Sequence, residues 1–494
     1  MILGSETEYR LVVQHDPAFD AVAASLLLVN SYQTDQLPPL LWDYDQEDPL
    51  RDARGFDLDD EYDVPSPQEN RAINKVLPNG ARYYVDHAHP EFATPECAQV
   101  LDVLRYEKAG ERIMHRSLLA ANQCLPPGQS LIVYKNNSDR KGNSYGYHEN
   151  YLLDRRLPFQ TIVDQMTPFL VSRQIFCGAG KVGAENGTEP VAYQISQRAD
   201  FFETEVGLET MVKRPLINTR DEPHANRERY RRLHVIVGDA NMSEYTTYLK
   251  MGTTMVVLHL LEAGYRVQDV ALHNPVWACQ TISHDPTCTA LVPLDNGKHV
   301  TAIEVQRCFH AAAQHYIETH PECPLAYPAI VAEWGAVLDA LARDPLQLAD
   351  RIDWVMKLQL LTTYMAGRHS GWEDPRIALM DLQYHDVRPD KGLYFLLERR
   401  GTARRMLTEA EIVQAMDDPP EDTRAYVRGQ CVKKFPTQLW GVNWDALSFK
   451  LGDGPIQRLR LDEPTHGTKH QVQPILERSA TAADFVATMA RAPL

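Results

Sequence analysis

Gly80-Ala-Arg-Tyr-Tyr-Val-Asp-His-Ala-His-Pro-Glu-Phe-Ala-Thr-Pro-Glu96, read beside Gly4-Ser-Glu-Thr-Glu-Tyr9, decides the fold of this chain. Alternate residues of an extended backbone share a face. Two strands here would place Glu6 and Glu8 on one face of the first, and Arg82, Tyr84 and Asp86 on one face of the second. Carboxylates crowded on one sheet face repel each other unless cations neutralise them, so the pattern points to Mg²⁺ and phosphate. A lone Glu-x-Glu is better explained by the solvated face of an edge strand, since paired acids on exposed faces are common. The second segment tips the reading towards a site.

Outward from these segments the chain reads as mixed strand and helix. A first strand is expected over Ile2 to Val13 and a helix over Ala18 to Tyr32. Asp43 to Asp63 then holds ten acids and two arginines, and residues 41–74 read as a mobile acidic insertion whose Trp42, Tyr44, Leu50 and Phe56 are available for docking. An ordered acidic surface loop is the alternative. After a turn at Pro78-Asn79-Gly80, Thr94-Pro95-Glu96 is expected to open a helix running towards Ala120, with Thr94 as N-cap and its free N–H groups near the carboxylates. Leu131 to Tyr134 and Gly146 to Leu153 look like paired strands. Further strands are expected through Ala192, Gln194, Ser196 and Arg198, and over Leu233 to Gly238. Helices dominate Ser243 to Gly264 and Ala329 to Ala366. Short strand-like runs near the end (Val442 to Leu451, Ile456 to Leu461) set a small C-terminal domain, 431–494, apart from residues 1–430.

With 494 residues, 44% of them hydrophobic and 24% charged, the composition is that of a globular protein with a large core. The formal charge of −17 argues against non-specific nucleic-acid binding and against docking on anionic membranes. No secretory leader is expected, because the chain reaches Glu6 before any apolar stretch forms. The longest apolar run, Met251 to Leu261, is broken by Gly252, Thr253, Thr254 and His259 and is too short to span a bilayer. Eight scattered cysteines without a Cys-x-x-Cys fit reduced thiols in a cytoplasmic protein.

Strand alternation also pairs His148 with Asn150, and Arg232 with His234. Each histidine alone would pass as structural. Together with strand-borne carboxylates they look like divalent-metal ligands with an arginine placed for phosphate. Asp86-His-Ala-His89 suggests zinc, but a continuous strand would put Asp86 opposite His87 and His89, and no His-Glu-x-x-His exists. Gly178-Ala-Gly-Lys-Val-Gly183 fails as a phosphate loop, with Ile175 for the leading glycine and Val182 where Ser or Thr should be. There is no Gly-x-Ser-x-Gly and no dinucleotide fingerprint.

Several motifs taken jointly resemble the Dop/PafA family, enzymes acting on the prokaryotic ubiquitin-like protein Pup. They are Gly4-Ser-Glu-Thr-Glu-Tyr9, Arg82-Tyr-Tyr-Val-Asp-His-Ala-His-Pro-Glu91, Gly146-Tyr-His-Glu-Asn-Tyr151, Ser172-Arg-Gln-Ile-Phe-Cys-Gly-Ala-Gly180, Gln197-Arg-Ala-Asp200, Leu233-His-Val-Ile-Val-Gly-Asp-Ala-Asn241, Asp381-Leu-Gln-Tyr-His-Asp386 and Val442-Asn-Trp-Asp445. The segment from Trp42 to Phe56 and the Asp-His-Ala-His spacing resemble the deamidase/depupylase branch and not the ligase. Ser5 and Arg10 depart from the family's usual Ile and Gly.

The resemblance implies an α+β, glutamine-synthetase-like fold: a curved antiparallel sheet cradling ATP (or ADP with phosphate) and Mg²⁺, backed by helices, plus a small C-terminal domain. It implies Glu6, Glu8, Tyr84, Glu91, His148 and His234 as metal ligands. Arg82, Thr94, Asn150, Arg232 and Trp444 would contact nucleotide, and Asp86 would be the catalytic carboxylate. Arg198 and Arg220 would meet phosphate or the Pup C-terminus. The implied reaction is hydrolysis of the C-terminal glutamine amide of Pup and of the isopeptide bond in pupylated proteins, with Asp86 as nucleophile or as general base. Pup itself would dock as a helix in an apolar and basic groove. The alternatives are the Pup ligase, using glutamyl-phosphate chemistry, a catalytically silent Pup-binding protein, and a carboxylate–amine ligase for a small substrate.

Overall fold

The computed structural model describes residues 1–16, 18–32, 40–45, 47–55, 64–210 and 212–492. Its α+β character follows from a six-stranded sheet in the order Tyr230–Val235, Tyr147–Asp154, Leu3–Glu8, His89–Ala93, Arg82–Asp86, Asn74–Val76. Every pairing in it is antiparallel. Burial alternates along the strands: Leu3, Ser5 and Thr7 are covered, while Gly4, Glu6 and Glu8 are only partly so. The covered face packs on helices Val100–Cys124 and Glu244–Glu262. Its buried charges are paired, Lys135 with Glu107 at 2.6 Å and Arg173 with Glu149 at 2.6 Å, as burial in low dielectric demands. The unusual Ser5 fits here, because its hydroxyl donates to Glu107 at 3.2 Å.

Several expected boundaries shift for identifiable reasons. The first strand breaks at Tyr9, whose N–H donates to Pro90 O at 3.0 Å. Arg10–Gln14 then pairs with Ser130–Tyr134 in a separate two-stranded sheet. That pairing occupies the strand expected to lie beside Gly146 to Leu153, which is instead flanked by Leu3–Glu8 and Tyr230–Val235. The long helix starts at Val100, so Thr94 is not its cap. Cross-strand bonds claim the segment instead: Thr94 Oγ1 accepts from Ser5 N–H at 2.9 Å, and Leu3 and Cys97 exchange two backbone bonds of 2.9 Å. Around Arg198 only Tyr193–Gln194 is extended, and Arg198 itself leads into a short 3₁₀ turn. The stretch 329–366 divides into helices Tyr327–Arg343 and Asp353–Arg368.

Near the C-terminus, Leu439–Val442, Ala446–Phe449 and Gln457–Arg460 form a sheet whose fourth strand, Leu41–Trp42, comes from the acidic segment and runs parallel to Leu439–Val442. Its apolar core gathers Phe449, Phe485 and Val442 together with Leu40, Trp42 and Tyr426, so residues outside 431–494 contribute to it. The acidic segment is docked where it is described: Asp52 accepts from Thr219 at 2.6 Å, and Glu222 accepts from Asp48 N–H at 2.5 Å. A capped helix, Pro67–Ile73, closes it. Phe56 lies outside the described residues.

Candidate active site

Register assembles the cleft. Glu6 pairs across the sheet with His148, Glu8 with Glu91, Tyr84 with Glu91, and His234 with Asn150. Asp86 pairs with His89, which corrects the expectation that they lie on opposite faces. His87-Ala88 is a two-residue turn in which His87 takes φ 51°, so Asp86 and His89 belong to two strands of a hairpin and share the cleft face.

Two groups of ligand atoms result. One ligand atom from each of Glu6, His148 and His234 lies within 4.8 Å of the others, and the same holds for Glu8, Asp86 and Glu91. Both donor sets suit a divalent cation. Five of the six expected ligands fall in these groups, Tyr84 stands beside Glu91, and Asp86 joins the second group. Gly146 makes the closeness possible: a Cβ there would lie 2.6 Å from His148 Nε2 and 2.8 Å from Glu8 Oε1. Its N–H donates to Glu8 at 2.8 Å.

Asn150 organises the first group. Its Nδ2 donates to Glu6 at 2.9 Å, so its Oδ1 accepts from Arg232 at 3.0 Å and from His234 Nδ1 at 2.9 Å. His234 therefore keeps Nε2 as a free lone pair, the form a metal needs. Burial, with His148 and Arg232 nearby, also holds His234 well below the ordinary histidine range, in the neutral state. Burial would raise Glu6, but His148, His234 and Arg232 outweigh it and hold this carboxyl well below its usual range. Glu91 goes the other way: burial, then Asp86, Glu8 and Glu6, push it well above. Burial opposes ionisation of Asp86 too, yet His87 and Arg82 keep it below the ordinary value. Its side chain is 42% exposed at the cleft mouth.

Beside the carboxylates lies an apolar slot lined by Leu3, Thr94, Leu152, Pro223, Trp444 and Pro464. It shares Glu6, His224, Arg232 and Trp444 with the main cleft, which also contains Arg82, Arg198 and Arg220. The Nε atoms of Arg220 and Arg232 are buried without a hydrogen-bond partner, so both guanidinium groups keep an N–H that can donate to an anion in the cleft. The residues present thus fit a nucleotide, with base in the slot and phosphates at the arginines and carboxylates. Arg82 is clamped between the rings of Trp42 and Tyr84, at 4.1 and 4.0 Å, and donates to Asn74. Arg198 is buried and donates to Ser144 at 3.1 Å and to Gly238 O at 3.3 Å.

The expected residues all reach this cleft or its slot. Missing from the expectation are Glu222 and His224, which line the cleft from a loop, and Glu47, which lies 3.8 Å from Arg82. Asp221-Glu-Pro-His224 offered a cue, since acids and a histidine around a proline mark a fixed loop. Strand alternation says nothing about loops.

Strand-borne carboxylates and histidines, an apolar slot and guanidinium groups thus line one cleft on the sheet, with a donor set that suits divalent cations and phosphate. The chain belongs to the Pup-ligase protein family, whose model matches residues 1–448. It is 46% identical over 497 residues to the depupylase of Acidothermus cellulolyticus, covering 99% of each chain. Against the Pup deamidase/depupylase of Mycolicibacterium smegmatis it is 44% identical, covering 98% of each. Among solved structures it resembles the ligase PafA in complex with Pup, with a TM-score of 0.82, 31% identity and coverage of 99% of this chain and 91% of that one. PafA in complex with ADP gives a TM-score of 0.75 at 33% identity, covering 88% and 97%.

Proposed function

We propose that this chain is a Pup deamidase and depupylase that hydrolyses the side-chain amide of a C-terminal glutamine on Pup and the isopeptide bond joining Pup to lysine. The observation that carries the reading is identity of 44–46% over nearly the whole chain to relatives named for those activities, against 31–33% to the ligase, which has the same fold.

Asp86 is the residue on which the chemistry rests. Against the cost of burial, His87 and Arg82 hold its carboxyl below the ordinary value, and it sits at the cleft mouth in one group with Glu8 and Glu91. As a nucleophile its carboxylate adds to the amide carbon, the C–N bond breaks as the nitrogen gains a proton, and ammonia or the lysine amine leaves. Water then opens the anhydride and restores Asp86. As a general base Asp86 takes the proton of the attacking water directly. Both routes consume one water. His87 Nδ1 lies 3.2 Å from Asp86 and, against burial, helps to hold its carboxyl below the ordinary value.

Mg²⁺ held by Glu6, His148 and His234, and by Glu8 and Glu91 beside Tyr84, would neutralise the carboxylates and the phosphates of ATP. Arg82, Arg220 and Arg232 would hold those phosphates, and Thr94 and Trp444 would flank the base. Hydrolysis itself requires no net ATP turnover. The eight free cysteines suit a reducing cytoplasm, and among the described residues no helix is long and apolar enough to cross a membrane.

The test is mass spectrometry of Pup ending in glutamine, incubated with the protein, Mg²⁺ and ATP. Conversion to the glutamate form by wild type but not by Asp86→Asn is expected. ATP-dependent attachment of Pup to lysine in place of that conversion would mean that the chain is a ligase.

A further inference from the structure

Asp445 is the residue after Trp444, in the turn between Leu439–Val442 and Ala446–Phe449. It is 8% exposed, and its Oδ1 is buried without a hydrogen-bond partner. The cations around it are engaged elsewhere, Arg460 with Asp462 at 2.8 Å and Arg227 with Asp48 at 3.4 Å. A buried carboxylate oxygen with no donor is costly in the empty protein, and neither the metal groups nor the proposed hydrolysis uses it.

The surroundings say what donor is missing. Asp445 lines a third pocket together with His224, Ala225, Asn226, Arg460 and Asp462. His224 lines this pocket, the apolar slot and the carboxylate cleft alike, and its Nδ1 is also buried without a partner. The third pocket therefore adjoins slot and cleft at His224, and Asp445 directly follows Trp444, which lines both. A nucleotide with its base in the slot and its phosphates at Arg220 and Arg232 has its sugar at that junction. The two hydroxyls of a ribose are donors on adjacent carbons, and a carboxylate, which only accepts, can take both. Acidic residues read ribose in this way in dinucleotide-binding folds.

We infer that Asp445 reads the ribose hydroxyls of the nucleotide, with His224 as the wall that turns the sugar towards it, and so selects ribonucleotides over deoxyribonucleotides. This rests on the nucleotide reading of the cleft. A nucleotide bearing a phosphate on the 2′ oxygen would be rejected, since it would set anion against anion.

The experiment is calorimetric titration of the full chain, in Mg²⁺, with ATP, 2′-deoxy-ATP and 3′-deoxy-ATP, for wild type, Asp445→Asn and Asp445→Ala, each checked for an unchanged melting profile. Wild type is expected to prefer ATP to the 2′-deoxy form by about tenfold, the scale of one hydrogen bond to a charged acceptor. Asp445→Ala should bring that ratio close to one by weakening ATP alone. Equal binding of ATP and both deoxy forms by wild type overturns the assignment without needing any variant, as does a preference that survives in folded Asp445→Ala. If wild type binds no ATP at all, the nucleotide reading fails first and the ribose assignment falls with it.

Discussion

His148 Nδ1 lies 3.3 Å from Glu6 Oε2 across two adjacent strands, so the ring commits one nitrogen to a carboxylate and presents the other to the cleft. His148→Ala should therefore weaken Mn²⁺ binding by tenfold or more, with Mn²⁺ standing in for Mg²⁺ and free ion counted by electron paramagnetic resonance. Unchanged affinity would remove His148 from the cation site.

Gly146 offers a subtler probe because it touches the ligands without being one. A methyl group there meets His148 Nε2 and Glu8 Oε1 inside contact distance. Gly146→Ala should lower cation affinity about 10- to 100-fold and destabilise the fold by about 1–3 kcal/mol through overpacking. Calorimetric cation titration and chemical denaturation read the two effects separately. A variant with normal cation affinity would show that Glu8 and His148 need not be held this close.

Glu96 predicts a pH dependence of stability. Burial would raise its carboxyl, but Arg428 and Arg424 hold it down at about 2, through contacts that include 2.7 Å to Arg424. A carboxyl depressed in the folded state stabilises above its unfolded value, about 4.3, and that stabilisation fades as pH falls towards 2. Glu96→Gln should cost about 3 kcal/mol at pH 7, with the gap to wild type closing between pH 4.5 and 2.5. Thermal denaturation across that range checks it. A constant gap would mean that packing, not charge, holds this joint.

Glu47 stands 3.8 Å from Arg82 and accepts from Trp42 Nε1 at 2.5 Å, so the acidic segment places a negative charge where phosphates are proposed to bind. Glu47→Gln should tighten ATP about threefold, as expected when a carboxylate 3.8 Å from Arg82 loses its charge. The gain should shrink at high salt. Looser binding would show that Glu47 orients Arg82 for the ligand.

The carboxylate face was legible in the sequence because strand periodicity is local: Glu6 with Glu8, Arg82 with Tyr84 and Asp86, and His148 with Asn150 each need only their own strand. The hairpin at His87-Ala88 was not. It carries neither glycine nor asparagine, the residues that usually signal a left-handed turn position, and His87 takes that conformation itself. Thr94 misled for a related reason. Thr-Pro-Glu is a good helix start, but the bond to Ser5 and the Leu3–Cys97 exchange are tertiary, and they override it. Glu222 and His224 sit on a loop, where no period reports which side chains turn inward. The partner of Leu41–Trp42 lies at the other end of the chain, beyond the reach of any window of sequence.

That last pairing has a temporal consequence. Asn443 donates to Asp43 O at 2.6 Å from 400 positions away, and Trp444, which walls the slot, sits on the same turn. During synthesis Leu41–Trp42 leaves the ribosome early and waits as an unpaired edge, exposed to association with other chains, until Leu439–Arg460 follow. Contacts this distant in sequence close slowly. The wall that Trp444 gives the slot is therefore completed only when translation is nearly finished.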